Sequence, residues 1–145
     1  MDEQLQQIKA TILNSEHTFP PVQKLLLSSG ELRAWFKYYN GPNQWVKRFY
    51  QEENVFLMDK FLIISRHYAN GKLTLFSVKL DEISRIEREY DFAAKDSKDL
   101  ILSNLTILLK RTLREKRPDA LVFKRPLLEE QGDPQGFEKL AELLD

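Results

Sequence analysis

The chain has 145 residues, 42% hydrophobic and 30% charged, with Lys+Arg and Asp+Glu both at 22 and a formal net charge of zero. That is the size and make-up of one globular domain with a real core, and it leaves no global field to steer the chain toward nucleic acid or an anionic membrane. The absence of cysteine excludes disulfide frameworks, thiol nucleophiles and cysteine-based zinc sites.

The opening MDEQLQQIKA is acidic and polar, with no apolar stretch behind a basic start, so it does not read as a secretory signal. The apolar runs are far shorter than the roughly 20 residues that span a bilayer. The expectation is a soluble protein of the reducing cytoplasm. Leu5, Ile8, Ile12 and Leu13 recur at helical spacing and predict a helix over 2–14. His17 to Pro21 reads as a break. A second helix is expected from Pro20 to Ser29, with proline in its first turn and Gly30 as its stop.

Residues 31–50 are dense in aromatics around the turn Asn40-Gly41-Pro42-Asn43. The favoured reading is strand, turn, strand, over Leu32–Tyr39 and Gln44–Gln51; a helix on either side of the turn is the alternative. Val55–Tyr68 follows as a long β-rich run, bent near Asp59-Lys60. Lys72–Leu80, Ile83–Phe92, Leu100–Thr112 and Ala120–Lys124 are further strands. Asp133 and Pro134 open a last helix, with Phe137, Leu140, Leu143 and Leu144 on one face.

Asn70-Gly71 between two apolar runs signals a hairpin. A type I′ turn centred on that pair sets Ile63 opposite Val78, Ser65 opposite Phe76 and His67 opposite Thr74. Those side chains then share one face, and Arg66 shares the other with Leu75.

The sequence of strands closed by one amphipathic helix resembles a pleckstrin-homology (PH)-like domain. GPNQWVKRFY resembles that family's first loop and second strand, through Trp45, Lys47, Arg48, Phe49 and Tyr50. VFLMDKFLIISR and VKLDEISRIE resemble its later strands, and GFEKLAELL its closing helix. The resemblance covers roughly 31–145. It implies an α+β fold: a strongly bent antiparallel sheet or partly open barrel closed by the C-terminal helix, with residues 1–30 as an N-terminal helical extension. Two departures stand out. Phe137 stands where the family's last helix carries a Trp. Val46 stands where the phosphoinositide-binding version has a basic residue two positions before Arg48. Members of the fold also bind peptides or partner domains, and fold does not settle function.

Catalytic and cofactor signals are absent. His17 and His67 are the two histidines and form no ligand pair; His67 reads as a partly buried structural residue. There is no G-x-S-x-G elbow and no phosphate-binding glycine loop. Glu87 and Glu89 read as solvated. No catalytic residue, metal or cofactor is assigned, and an enzyme is not expected.

Two constellations are left. Lys110, Arg111, Arg114, Lys116, Arg117, Lys124 and Arg125, against Glu115 and Asp119, give residues 110–125 a net +5; residues 126–145 carry −5. The first five of those cations are candidates for binding a lipid headgroup or nucleic acid. The bland alternative is a solvated pair of strand ends. Trp35, Tyr38, Trp45 and Tyr50, within the aromatic cluster, are candidates for a protein interface; alternation into the core is the competing reading. The leading expectation is a non-catalytic binding module that engages a protein partner or another copy of itself, with anion binding through 110–125 as the alternative.

Overall fold

A computed structural model describes residues 2–39, 50–68, 70–93, 98–110, 120–126 and 134–144. The class is α+β; the described residues form three α-helices and seven antiparallel strands in two sheets, neither closed into a barrel. The chain divides into two compact units, Met1–Val78 with Pro126–Asp145, and Lys79–Arg125. No described helix is long and apolar enough to cross a membrane.

The first unit begins with α1 (Asp2–Thr11) and α2 (Ser15–Ser28). The expected break at residues 17–21 is corrected: the chain turns at Asn14, and α2 runs through Pro20 and Pro21. Asn14 adopts the left-handed conformation (φ 53°, ψ 44°), which asparagine tolerates better than most residues. Its carbonyl accepts from the N–H groups of both His17 and Thr18 at 3.0 Å. The Thr18 hydroxyl donates to the Leu13 carbonyl at 2.8 Å. Both prolines are exposed, as are Glu16 and His17 one turn back, so carbonyls that lose an N–H partner there can turn to water.

Gly30 ends α2 as the pattern anticipates, at φ +94°. A β-carbon there would stand 2.9 Å from Asp59 Oδ2. That same oxygen accepts the Glu31 N–H at 3.0 Å, so the helix exit is pinned to the sheet.

Strands β1 (Leu32–Tyr39), β2 (Tyr50–Met58), β3 (Phe61–Tyr68) and β4 (Leu73–Lys79) pair in sequence order. β1 lies where the aromatic pattern puts it. The long run expected over 55–68 is two strands with a tight turn at Asp59-Lys60. The positions 44–49 of the strand expected at 44–51 lie outside the described residues.

The hairpin register is also corrected. Tyr68 N–H donates to Lys72 O at 2.9 Å, and Gly71 N–H to Tyr68 O at 3.0 Å. Tyr68 therefore faces Lys72, one position away from the type I′ register. Asn70 Oδ1 accepts the Lys72 N–H at 2.9 Å, and Gly71 takes φ +86°. This slip turns β4 over. Phe76 comes to the face of Arg66, and Leu75 joins Phe61 and Ile63.

One face of this sheet packs against α1 and α2: Ile8, Phe19, Val22 and Leu26 form one core with Leu32, Phe56, Met58 and Ile63. On the other face the last helix, α3 (Pro134–Leu143), sets Phe137 edge-on to Phe36 with ring centroids 5.2 Å apart. Full burial of side chains of this size contributes about 1.5–3 kcal/mol each.

The second unit holds β5 (Ile83–Phe92), β6 (Leu100–Leu109) and β7 (Ala120–Lys124), paired in that order after a 3-10 turn at Leu80–Glu82. β5 and β7 match their expected spans, and β6 ends before the expected Thr112. Leu102, Leu105, Ile107, Leu109, Leu121 and Phe123 are the unit's buried hydrophobic residues.

Candidate interaction surfaces

The interface candidates divide between the two faces of the first sheet. Trp35 stacks nearly parallel on Phe56 (6.1 Å, 7°), on the side of α1 and α2. Its indole N–H donates to Asn54 Oδ1 at 3.3 Å. Tyr38 faces Glu53 across β1–β2, on the opposite side. Tyr50 pairs with Tyr68, and its ring lies 5.1 Å from the Arg66 guanidinium, which is 5.2 Å from the Phe76 ring. Arg66 Nε donates to Glu53 Oε2 at 2.8 Å. Trp45 lies outside the described residues.

Burial and the Glu53 charge push the Tyr50 phenol up to about 12, against the pull of Arg66. Glu53 is 2% exposed, and burial raises its carboxyl above the usual range in spite of the Arg66 hydrogen bond and charge. Three tyrosines and a stacked arginine thus form a half-buried aromatic cluster.

The opposite face holds a second polar group that the sequence did not disclose. Glu52 is buried, and Lys37 Nζ meets its Oε1 at 2.7 Å. Its Oε2 accepts from Leu13 N–H at 2.9 Å and from Asn54 Nδ2 at 3.0 Å. Lys37 also donates to the Thr11 carbonyl at 2.7 Å. One buried carboxylate and one lysine therefore tie the α1–α2 joint to the middle of the sheet.

His67 is buried on the same face, as expected, with Nδ1 3.5 Å from Glu52 Oε2. Neither ring nitrogen nor the buried Ser65 hydroxyl has a hydrogen-bond partner among the described residues. Burial pushes the imidazole below its ordinary value; the Glu52 carboxylate works against this and Lys37 with it. No described group of three or more His, Cys, Asp or Glu is placed to hold a metal ion.

Of the basic segment, Lys110 is exposed at the end of β6, with its N–H donating to Glu82 O at 2.8 Å. Arg111, Arg114, Lys116 and Arg117 lie outside the described residues. Arg125 anchors β7 through its N–H, which donates to Ser103 O at 2.8 Å. Glu87 and Glu89 are exposed as expected, Glu87 paired with Arg85 and Glu89 accepting from Asn104 Nδ2 at 3.2 Å.

Sequence reasoning missed the free end of the β5–β6 hairpin. Tyr90 faces Leu102 and Phe92 faces Leu100. Ile86, Arg88, Tyr90 and Phe92 alternate onto one face of β5. Along the matching face of β6, exposure climbs from 0% at Leu105 through 8% at Leu102 to 59% at Leu100; Tyr90 and Phe92 are 52% and 64% exposed. The alternation was visible in the sequence, but alternation does not say where along the strand burial stops.

Comparison of the chain with protein-family models, curated proteins and solved structures finds no match in any of the three.

Proposed function

We propose that the chain is a non-catalytic binding module of PH-like build that engages a second copy of itself through the free end of the β5–β6 hairpin. The observation that carries this is the exposed cross-strand set Tyr90, Phe92 and Leu100. Large apolar side chains grouped on one sheet face mark interaction surfaces, whereas single ones do not. Aromatic residues of this kind supply most of the energy of protein contacts.

A copy of the same chain fits the charge around the set. Asp91 and Lys98 are exposed, next to Phe92 and just before Leu100, and carry opposite signs, so a two-fold arrangement can oppose unlike charges. The zero net charge removes long-range repulsion between copies. Three side chains make a small contact, at the weak end of the interface scale.

The PH-like build is supported by the element order, seven antiparallel strands and then an amphipathic helix, and by Phe137 as the residue packed from that helix onto β1. The non-catalytic reading is supported by the buried carboxylates, each already engaged: Glu52 by Lys37 and Leu13, Glu53 by Arg66.

The test is mass from light scattering between about 1 µM and about 1 mM, the range that brackets weak association. The expected result is a rise toward twice 17.1 kDa that is abolished by Tyr90→Ser with Phe92→Ser and Leu100→Ser. A constant monomer mass, or dimers that survive the triple change, would overturn the self-association.

A further inference from the structure

The edge of the first sheet holds a pocket that the β5–β6 surface leaves unused. It has a volume of about 240 Å³ and lies between α1, β1 and α3. Arg33 and Trp35 come from β1, Gln4 and Gln7 from α1, and Gln135 and Lys139 from α3. The buried Leu32 and Ala34 lie among them. Among the described residues, no Asp or Glu lines it.

Arg33 reaches this pocket through a fault in the strand. Leu32 pairs with Met58 and Ala34 with Leu57, so Arg33 is an extra residue on the edge strand. A bulge of this kind bends the strand and re-aims a side chain. Here it brings Arg33 to the pocket between a helix on one face of the sheet and a helix on the other.

Lys139 arrives from α3 at the same pocket. Neither cation has an ion pair among the described residues. Their acidic chain neighbours, Glu31 and Glu138, do not line the space. Two like charges brought to one concavity without a counter-charge among the described residues repel, and an anion between them relieves this. Edge charges also guard against strand pairing, but that role does not call for a second cation from another element.

Trp35 sets the rest of the chemistry. Its N–H is spent on Asn54 and one ring face on Phe56, so it offers carbon surface to the pocket. Gln4 and Gln7 add neutral amide donors and acceptors at the rim.

We propose that this pocket binds a small organic anion. A carboxylate or phosphate head sits between Arg33 and Lys139, and a short carbon body lies against Trp35. The guanidinium supplies paired, charge-assisted hydrogen bonds and the ammonium a point charge. The site is separate from the β5–β6 surface, so it stands or falls independently of self-association.

The experiment is an NMR titration of the 15N-labelled chain with inorganic phosphate and, separately, with glutarate, each against sodium chloride at equal ionic strength. Saturable shifts are expected at Arg33, Trp35 and Lys139 with half-saturation near or below about 1 mM. Arg33→Gln and Lys139→Gln should each weaken binding about tenfold, the size of one charge-assisted contact. Saturation by phosphate alone identifies a phosphate head, and saturation by glutarate alone a carboxylate. Both cations are exposed, so the variants should keep the wild-type fold, and their spectra without ligand report it. Shifts no larger than those from chloride would overturn the proposal. So would an unchanged midpoint in both variants, or shifts confined to residues 110–125.

Discussion

β2 and β5 are strands of nine and ten residues, yet their fates are opposite. From Glu52 to Met58 every residue of β2 is buried, whereas no residue of β5 is. β2 lies between α1 and α2 on one face and the α3 side on the other, so even its polar stretch Glu52-Glu53-Asn54 is taken out of water. The unit that holds β5 contains no α-helix among the described residues. A strand pattern specifies which side chains share a face; whether that face is dry depends on what is laid over it.

The sharpest way to break the contrast is to remove cover from the first sheet. Phe36→Ala takes away a ring that is 0% exposed and its edge-on contact with Phe137. The expected loss is about 3–5 kcal/mol, read as a drop in the urea midpoint with an unchanged slope. Phe92→Ala, the same change at a 64% exposed ring, serves as the control.

Glu52→Ala comes next. It leaves Lys37 without its carboxylate and orphans the Leu13 N–H at the α1–α2 joint. Breaking one side of a buried pair costs about 3 kcal/mol. Glu52→Gln should cost less, because an amide oxygen can still accept from Leu13. Equal losses in the two variants would mean that the charge, rather than the hydrogen bonds, holds the joint.

Gly30→Ala is smaller. The position has φ +94°, and the new methyl would meet Asp59 Oδ2. The expected cost is about 1–2 kcal/mol from the left-handed backbone, checked by the same denaturation curves.

Most of the secondary structure was legible, and the reasons differ by element. β5 carries a period-two pattern, β1 a dense run of aromatics and β7 a short apolar run, each bounded by turn or loop residues in the sequence. The α1–α2 break was misplaced because prolines are read as breakers, while a left-handed Asn14 leaves no mark in composition. The hairpin slip came from assuming a two-residue turn where the hydrogen bonds skip one position. Such a slip keeps every residue in a strand but exchanges the faces of Leu75 and Phe76. Neither Glu52 nor the bulged Arg33 was legible as anything but a surface charge, since burial and re-aiming come from distant elements.

A pH scan separates the two faces of β2 more gently. His67 has a pKa lowered from 6.5 by burial, so below about 6.5 the unfolded chain binds the proton and the folded chain does not. Stability is therefore expected to fall as pH drops through that value toward the lowered folded pKa. Glu52 and Lys37 are the charges that face the ring. Glu53, raised from 4.5 by burial, acts with the opposite sign: its share is present below 4.5 and is lost as pH rises through the elevated folded value. His67→Gln should flatten the descent below 6.5 and leave the Glu53 slope in place. An unchanged descent would show that another group carries it.

The smallest expected effect on stability falls at the exposed end of β5. Phe92→Ser removes a large ring, but one that is already mostly in water, and surface changes of this sort stay within about 0.5 kcal/mol. The same substitution strips the most exposed apolar side chain from the proposed contact between copies. Stability and association should therefore separate: an unmoved urea midpoint, with a light-scattering mass that no longer rises with concentration. If Phe92→Ser cost as much as Phe36→Ala, the ring would be holding the fold rather than waiting for a partner, and the contrast between β2 and β5 would fail at the residue on which the functional reading depends.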